Sequence, residues 1–192
     1  RSHRFGFIRL RYCRIRFSCV TDYEYTWRRH FSALETASEI GQREAERAVR
    51  RLGQKKVTSQ QVPVVYDPRL SGGFPRLSAE LISGAAIARG TSILKDNMNE
   101  QVFSPTINII DDPLRKRGLS SRLFDGEGVQ GKSRNIVKDG LLTTWLLDTR
   151  SARQLSLKTT GHPARGTSSP PSPGSTNLYM WLDPFPLLNS YN

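Results

Sequence analysis

The apolar positions along the chain change period several times, and each change marks an element. Residues 9–17 set Arg9, Arg11, Arg14 and Arg16 between Leu10, Tyr12, Ile15 and Phe17. That near-alternation is the period of a strand with one charged face. From residue 37 the period lengthens, and Ala37, Ile40, Ala45, Ala48, Val49 and Leu52 make the apolar stripe of a helix over about 37–52. Thr36-Ala37-Ser38-Glu39 has capping-box form, in which the hydroxyl and the carboxylate each satisfy an orphan amide of the first turn. Gly53 closes the helix after Arg50 and Arg51. Glu39 with Arg43, and Glu46 with Arg50, stand one turn apart outside the stripe, so these charges read as a solvated, salt-bridged face.

Residues 54–61 are polar apart from Val57 and read as a linker. Residues 62–66 predict a short strand, with Pro63 near its start and Asp67-Pro68 turning the chain at its end. After Gly72-Gly73, Leu77, Leu81, Ile82, Ala85 and Ala88 predict a helix from about Pro75 to Arg89, stopped by Gly90. Gly84 weakens that helix by ~1 kcal/mol relative to Ala, unless another backbone packs closely there. Strands follow at 106–110, 135–137 and 141–147. Lys138-Asp139-Gly140 between the last two is a strong hairpin signal, because the Gly accepts the positive φ that matches strand twist. Residues 151–155 predict a helical turn, and residues 161–175, rich in Gly, Ser and Pro, a long loop. Residues 176–179 begin a strand whose partners are expected beyond residue 192. This order of elements predicts an α+β fold, a largely antiparallel sheet with flanking helices, as a fragment of a larger two- or three-domain protein.

Charge alters the picture at one end only. The 192 residues carry a formal charge of +12. Arg1, Arg4, Arg9, Arg11, Arg14 and Arg16, with no acid among the first twenty residues, supply half of it. Residues 1–20 are therefore set apart as an atypical Arg-rich segment, followed by 21–60 and 62–192. A basic excess favours polyanions, but no recognition motif accompanies it, and nucleic acid is not an expected partner. No run approaches the ~18 apolar residues of a membrane span, so no membrane association is expected. Cys13 and Cys19 are too few for a disulfide framework. These features predict a soluble, cytoplasmic protein.

The inventory of reactive groups is short. A hydrolytic zinc site normally takes three protein ligands, and His3, His30 and His162 are isolated, without ligand spacing. No phosphate-binding loop and no GxSxG elbow is present. Asp111, Asp112, Asp125 and Glu127 form the one conspicuous acidic set. Carboxylates at strand ends can bind a cation or act as acid and base, but Asp-Pro and Asp-Gly are first of all turn formers. No catalytic and no metal-ligating residue is assigned.

Several segments together carry a family resemblance. They are Asp22-Tyr23-Glu24-Tyr25, the helix end Glu46-Arg47-Ala48-Val49-Arg50-Arg51-Leu52, Pro63-Val64-Val65-Tyr66-Asp67-Pro68, and Ser83-Gly84-Ala85-Ala86-Ile87-Ala88-Arg89-Gly90-Thr91-Ser92. Further on come Asp111-Asp112-Pro113, Phe124-Asp125-Gly126-Glu127-Gly128, Asp139-Gly140-Leu141-Leu142-Thr143-Thr144-Trp145 and Thr159-Thr160-Gly161-His162. Over roughly Asp22 to Tyr179 the chain resembles the TldD/PmbA family, the modulators of DNA gyrase, and more closely its PmbA (TldE) branch. The first twenty residues and the tail from Trp181 to Asn192 fall outside the pattern.

The resemblance implies that residues 21–60 end a middle domain and that 62–192 are part of a C-terminal domain. It also implies a heteromeric metallopeptidase, involved in proteolysis or peptide maturation, in which a TldD-like subunit carries zinc on an HExxxH helix. The counterpart segment here, Leu77-Ser78-Ala79-Glu80-Leu81-Ile82-Ser83, has a Glu and no His. The implied role is a noncatalytic PmbA/TldE-like subunit with no cofactor of its own, a TldD-like zinc peptidase as partner, and peptides as substrates. Asp125, Glu127, Gly161 and His162 are its candidate peptide or partner contacts, by position, and the hairpin at 135–147 could add a strand to a peptide. The alternative reading is a basic nucleic-acid-binding module.

Overall fold

The computed structural model describes the backbone of residues 5–15, 18–53 and 55–182, with side chains over 22–53 and 55–182. Arg16, Phe17 and the tail after Leu182 lie outside the described residues. The chain divides into two compact units, Arg1–Val64 and Val65–Asn192.

In the first unit β1 (Phe5–Ile15) and β2 (Ser18–Arg28) pair antiparallel, in register from Phe5 opposite Arg28 to Ile15 opposite Ser18. The basic and apolar near-alternation thus forms the strand its period predicts. Helix α1 (Ala37–Arg50) opens on the expected capping box, with Glu39 N–H donating to Thr36 Oγ1 and Thr36 N–H to Glu39 Oε2.

Its buried positions differ from the predicted stripe. Ile40, Gly41, Glu44 and Ala48 are buried, while Val49 is 57% exposed. The reason lies in the strand that α1 covers. Among the described residues of β2, Asp22, Glu24 and Thr26 are buried, and Tyr23, Tyr25 and Trp27 remain partly exposed. The helix therefore meets carboxylates, and Arg43, Arg47 and Arg51 bridge to them, while Glu46 and Arg50 stay exposed on the outer face. Arg47 binds Glu24, Arg43 Nε lies 3.6 Å from Glu24 Oε2, and Arg51 Nε lies 3.7 Å from Asp22 Oδ2. Arg43 and Arg28 both reach Glu35.

Burial raises the Glu24 pKa, but the Arg47 hydrogen bond, the Tyr25 amide and the charges of Arg47 and Arg43 outweigh it, and the net shift is downward. A carboxyl with a lowered folded pKa adds stability above its unfolded value of ~4.3, and that stability is lost as pH falls through the folded value.

Residues 55–67, which run from the end of the first unit into the second, have no regular structure. The strand expected at 62–66 does not form. Val65 is 96% exposed and the segment has no strand partner among the described residues.

Helix α2 (Pro68–Ser71) forms at the expected Asp67-Pro68 turn, and α3 (Gly73–Leu81) and α4 (Gly84–Ala88) stand where one helix from Pro75 to Arg89 was expected. The break at Ile82 and Ser83 has a clear cause, because the backbone there pairs with an extended segment. Ser83 bridges Leu146, Gly84 N–H donates to Leu146 O at 2.8 Å, and Leu146 N–H donates to Ile82 O at 3.1 Å. The close backbone approach that Gly84 implied is thus present. A Cβ at Gly84 would meet Ser151 Oγ, lie 2.7 Å from Leu147 Cδ2 and 2.9 Å from Leu146 O.

The second unit also holds a four-stranded sheet, antiparallel throughout. It is formed by β3 (Ile107–Asp111), β4 (Arg134–Lys138), β5 (Leu141–Leu142) and β8 (Leu178–Leu182), in the order β5–β4–β3–β8. The predicted hairpin joins β4 to β5, with Asp139 at φ 50° and Gly140 at φ 78°, both in the left-handed region a two-residue turn requires. The final strand finds its partner within the chain, since β8 pairs with β3 from Ile107–Leu182 to Asp111–Leu178.

Helix α5 (Thr149–Gln154) fills the place of the expected helical turn. The segment 161–175 is only partly a loop, because β6 (Pro163–Ala164) and β7 (Ser172–Pro173) pair within it. Ala79 and Ile82 pack on Ile109, Ile136, Val137, Leu142 and Leu146 to form the core.

Two outcomes follow. Gly84→Ala should destabilise the chain by about 2 kcal/mol through overpacking, read as a lower urea midpoint at unchanged slope. Lowering pH from 7 to 3 should cost the wild type more stability than it costs Arg47→Gln, because the variant has already lost the main contact holding Glu24 ionised. Urea titrations followed by circular dichroism at both pH values check this, and equal losses would contradict it.

Candidate functional site: a charged cleft beside a buried Asp–His node

One cleft of about 320 Å³ opens in the second unit between the α3–α4 corner and the segment after β7. Arg76, Ala79, Glu80, Ser83, Ala86 and Arg89 line one side, and Pro173, Gly174 and Ser175 the other. Arg76 and Glu80 stand one turn apart on the same face of α3, and Ser83 lines the cleft from the break that follows. The break before Gly84 turns α4 so that Ala86 and Arg89 also face the cleft.

The far wall is held by a buried carboxylate. Asp111, at the end of β3, is completely buried. Its Oδ1 accepts from Thr176 N–H and its Oδ2 from the Thr176 hydroxyl, each at 2.7 Å. His162 is 1% exposed, with Nε2 3.2 Å from Asp111 Oδ2 and Nδ1 2.7 Å from Thr160 Oγ1. Gly174 N–H donates to His162 O at 3.1 Å, so the same node ties down the residue that lines the cleft. Arg122 also donates to His162 O, from Nη2 at 3.1 Å. Burial lowers the Arg122 pKa, while the carboxylates of Asp111 and Asp125 oppose that shift.

The sequence-predicted site residues are distributed as follows. Asp125 closes its own turn, accepting from Glu127 N–H and Val129 N–H, each at 2.8 Å. Exposed Glu127 accepts from Thr149 N–H at 3.0 Å at the start of α5, where a carboxylate also complements the helix dipole. Gly161 is buried at φ 77°, beside His162. None of the four lines the cleft. Arg76 and Arg89, which do, escaped the sequence analysis. The i,i+4 spacing of Arg76 and Glu80 was the available signal.

The donors present do not fit a zinc ion. On α3 the cleft offers Arg76 and Glu80, and Arg76 Nε lies 3.2 Å from Glu80 Oε1. A guanidinium cannot ligate a cation, and it competes for the carboxylate that could. Both His162 nitrogens are engaged in the core. Among the described residues no three His, Cys, Asp or Glu side chains converge as metal ligands.

The lineage of the chain is given by its similarity to known proteins. The sequence profile described as PmbA/TldA metallopeptidase C-terminal domain matches residues 59–184. Metalloprotease PmbA of Escherichia coli O157:H7 is 37% identical over 141 residues, covering 73% of this chain and 31% of the relative. A metalloprotease TldD homolog of Buchnera aphidicola is 30% identical over 167 residues, covering 83% of this chain and 34% of the relative. Among solved structures, a candidate modulator of DNA gyrase from Bacteroides thetaiotaomicron superposes with a TM-score of 0.81 at 27% identity. That match covers 93% of this chain and 38% of the other. The fold is thus that of an α+β metallopeptidase-family C-terminal domain with a preceding strand–helix unit. The chain belongs to the PmbA/TldD family, and it spans about a third of the length of the curated relatives it matches.

Asp111→Ala should destabilise the second unit by about 3 kcal/mol, because it strands the Thr176 and His162 donors in the core. Glu127→Ala, which removes one exposed contact at the start of α5, should cost about 1 kcal/mol or less. Urea unfolding of the two variants measures the ranking, and a reversed order would contradict the anchoring role of Asp111.

Proposed function

We propose that this chain is a PmbA/TldE-like, zinc-free part of a peptidase assembly, and that it works beside a TldD-like subunit that supplies the metal. The observation that carries the reading is the Arg76–Glu80 ion pair on α3. On the family resemblance, α3 is the counterpart of the helix that bears HExxxH in the zinc subunit. Here it bears a cation, a carboxylate and no imidazole. Without a metal to polarise water or a carbonyl, what α3 can contribute is recognition, through charges at fixed positions beside a small cleft. In this reading the second unit helps to enclose the chamber in which the partner cuts peptides. Of the proposed contacts, Asp125 and Glu127 sit in a turn reachable from solvent, whereas Gly161 and His162 are buried and act through the wall they brace.

Co-expression with a TldD-like subunit tests the proposal. The expected outcome is a stable complex with chelator-sensitive peptidase activity that requires the HExxxH motif of the partner. Cleavage by this chain alone, abolished by Glu80→Gln, would contradict it.

A further inference from the structure

The charged side chains of the cleft are little used by the fold. Arg76 and Glu80 pair with each other one helical turn apart, yet their side chains remain 82% and 62% exposed. An ion pair so exposed contributes little to stability. Arg89, one residue beyond α4, is exposed and makes no ion pair among the described residues. The hydroxyl-bearing Ser83 and Ser175 face the same space. Two guanidinium groups against one carboxylate leave the cleft one positive charge in excess.

We infer that this cleft captures the terminal carboxylate of a peptide, with Arg89 as anchor and Arg76 as a second donor that Glu80 holds in place. Three features favour that ligand. A guanidinium fork matches a carboxylate in two parallel hydrogen bonds, and Arg89 has no competing partner among the described residues. The volume of about 320 Å³ lies at the small end of the range for ligand clefts, which suits a chain end and not a folded surface. Glu80 can accept from peptide amides entering beside the carboxylate, a contact that a phosphate backbone cannot offer. The choice of a peptide rests on the peptidase-assembly reading above. The geometry of the cleft does not.

The test uses the full 192-residue chain and a fluorescein-labelled random hexapeptide pool, prepared once with free C-terminal carboxylates and once as C-terminal amides. Fluorescence anisotropy should show the free acids binding about tenfold more tightly than the amides. Arg89→Gln should remove that preference, and Arg76→Gln should weaken it. Both side chains are exposed, so circular dichroism should show the variants folded as the wild type. Equal binding of the two pools, no binding of either, or an acid preference that survives Arg89→Gln would overturn the inference. A single-stranded oligonucleotide that displaced the acid pool at lower concentration, through the same Arg89, would overturn it in favour of a phosphate site. Partner capture is measured separately, so its failure with acid-selective binding intact would sink the assembly reading and leave the cleft standing.

Discussion

Asp111 stands at the end of β3 with no access to water, and a carboxylate in that position is tolerable only when donors surround it. Thr176 supplies two, His162 Nε2 stands 3.2 Å from the same carboxylate, and these groups come from segments far along the chain. The requirement to satisfy one buried charge therefore brings the start of β8 and the 161–175 segment onto the sheet. It sets the wall that carries Gly174 and Ser175, and through that wall the width of the cleft. It also decides what His162 is for, because an imidazole held between Asp111 and Thr160 is a structural tie and not a free ligand.

The first unit is built on a different balance. Its helix and hairpin meet through Asp22, Glu24 and the arginines of α1, and the aromatic side chains of β2 are partly exposed on the other side. Interfaces of this kind add modest net stability, since desolvation of the charges offsets much of their attraction. They are specific in register, however. A slip of one residue in β2 would present Tyr23 and Tyr25 to the arginines in place of Asp22 and Glu24.

Where the sequence was legible, a local rule decided the structure. The capping box at Thr36 and Glu39 and the turn at Asp139 and Gly140 are settled within a few residues, and both formed as expected. Gly84 was legible in part, because its cost in a helix pointed to a close neighbour without saying which one. What local pattern could not supply was partnership at a distance. Nothing near Ser83 announces that Leu146 will pair with it and break the helix. Nothing near Leu178 announces that its partner is β3. The apolar stripe of α1 misled for the same reason, since the charge on the facing strand determined which side of the helix was buried. The cleft was illegible because one wall of it, Pro173 to Ser175, reaches α3 only through the fold.

Family membership and cleft chemistry meet on α3, where the resemblance places a metal-binding helix and the structure presents an ion pair. The most direct measurement of that claim is the zinc content of the full chain, purified under reducing conditions, titrated with zinc and examined by native mass spectrometry. The account predicts no stoichiometric binding and no change after Glu80→Gln. One zinc per chain, displaced by Glu80→Gln, would contradict it.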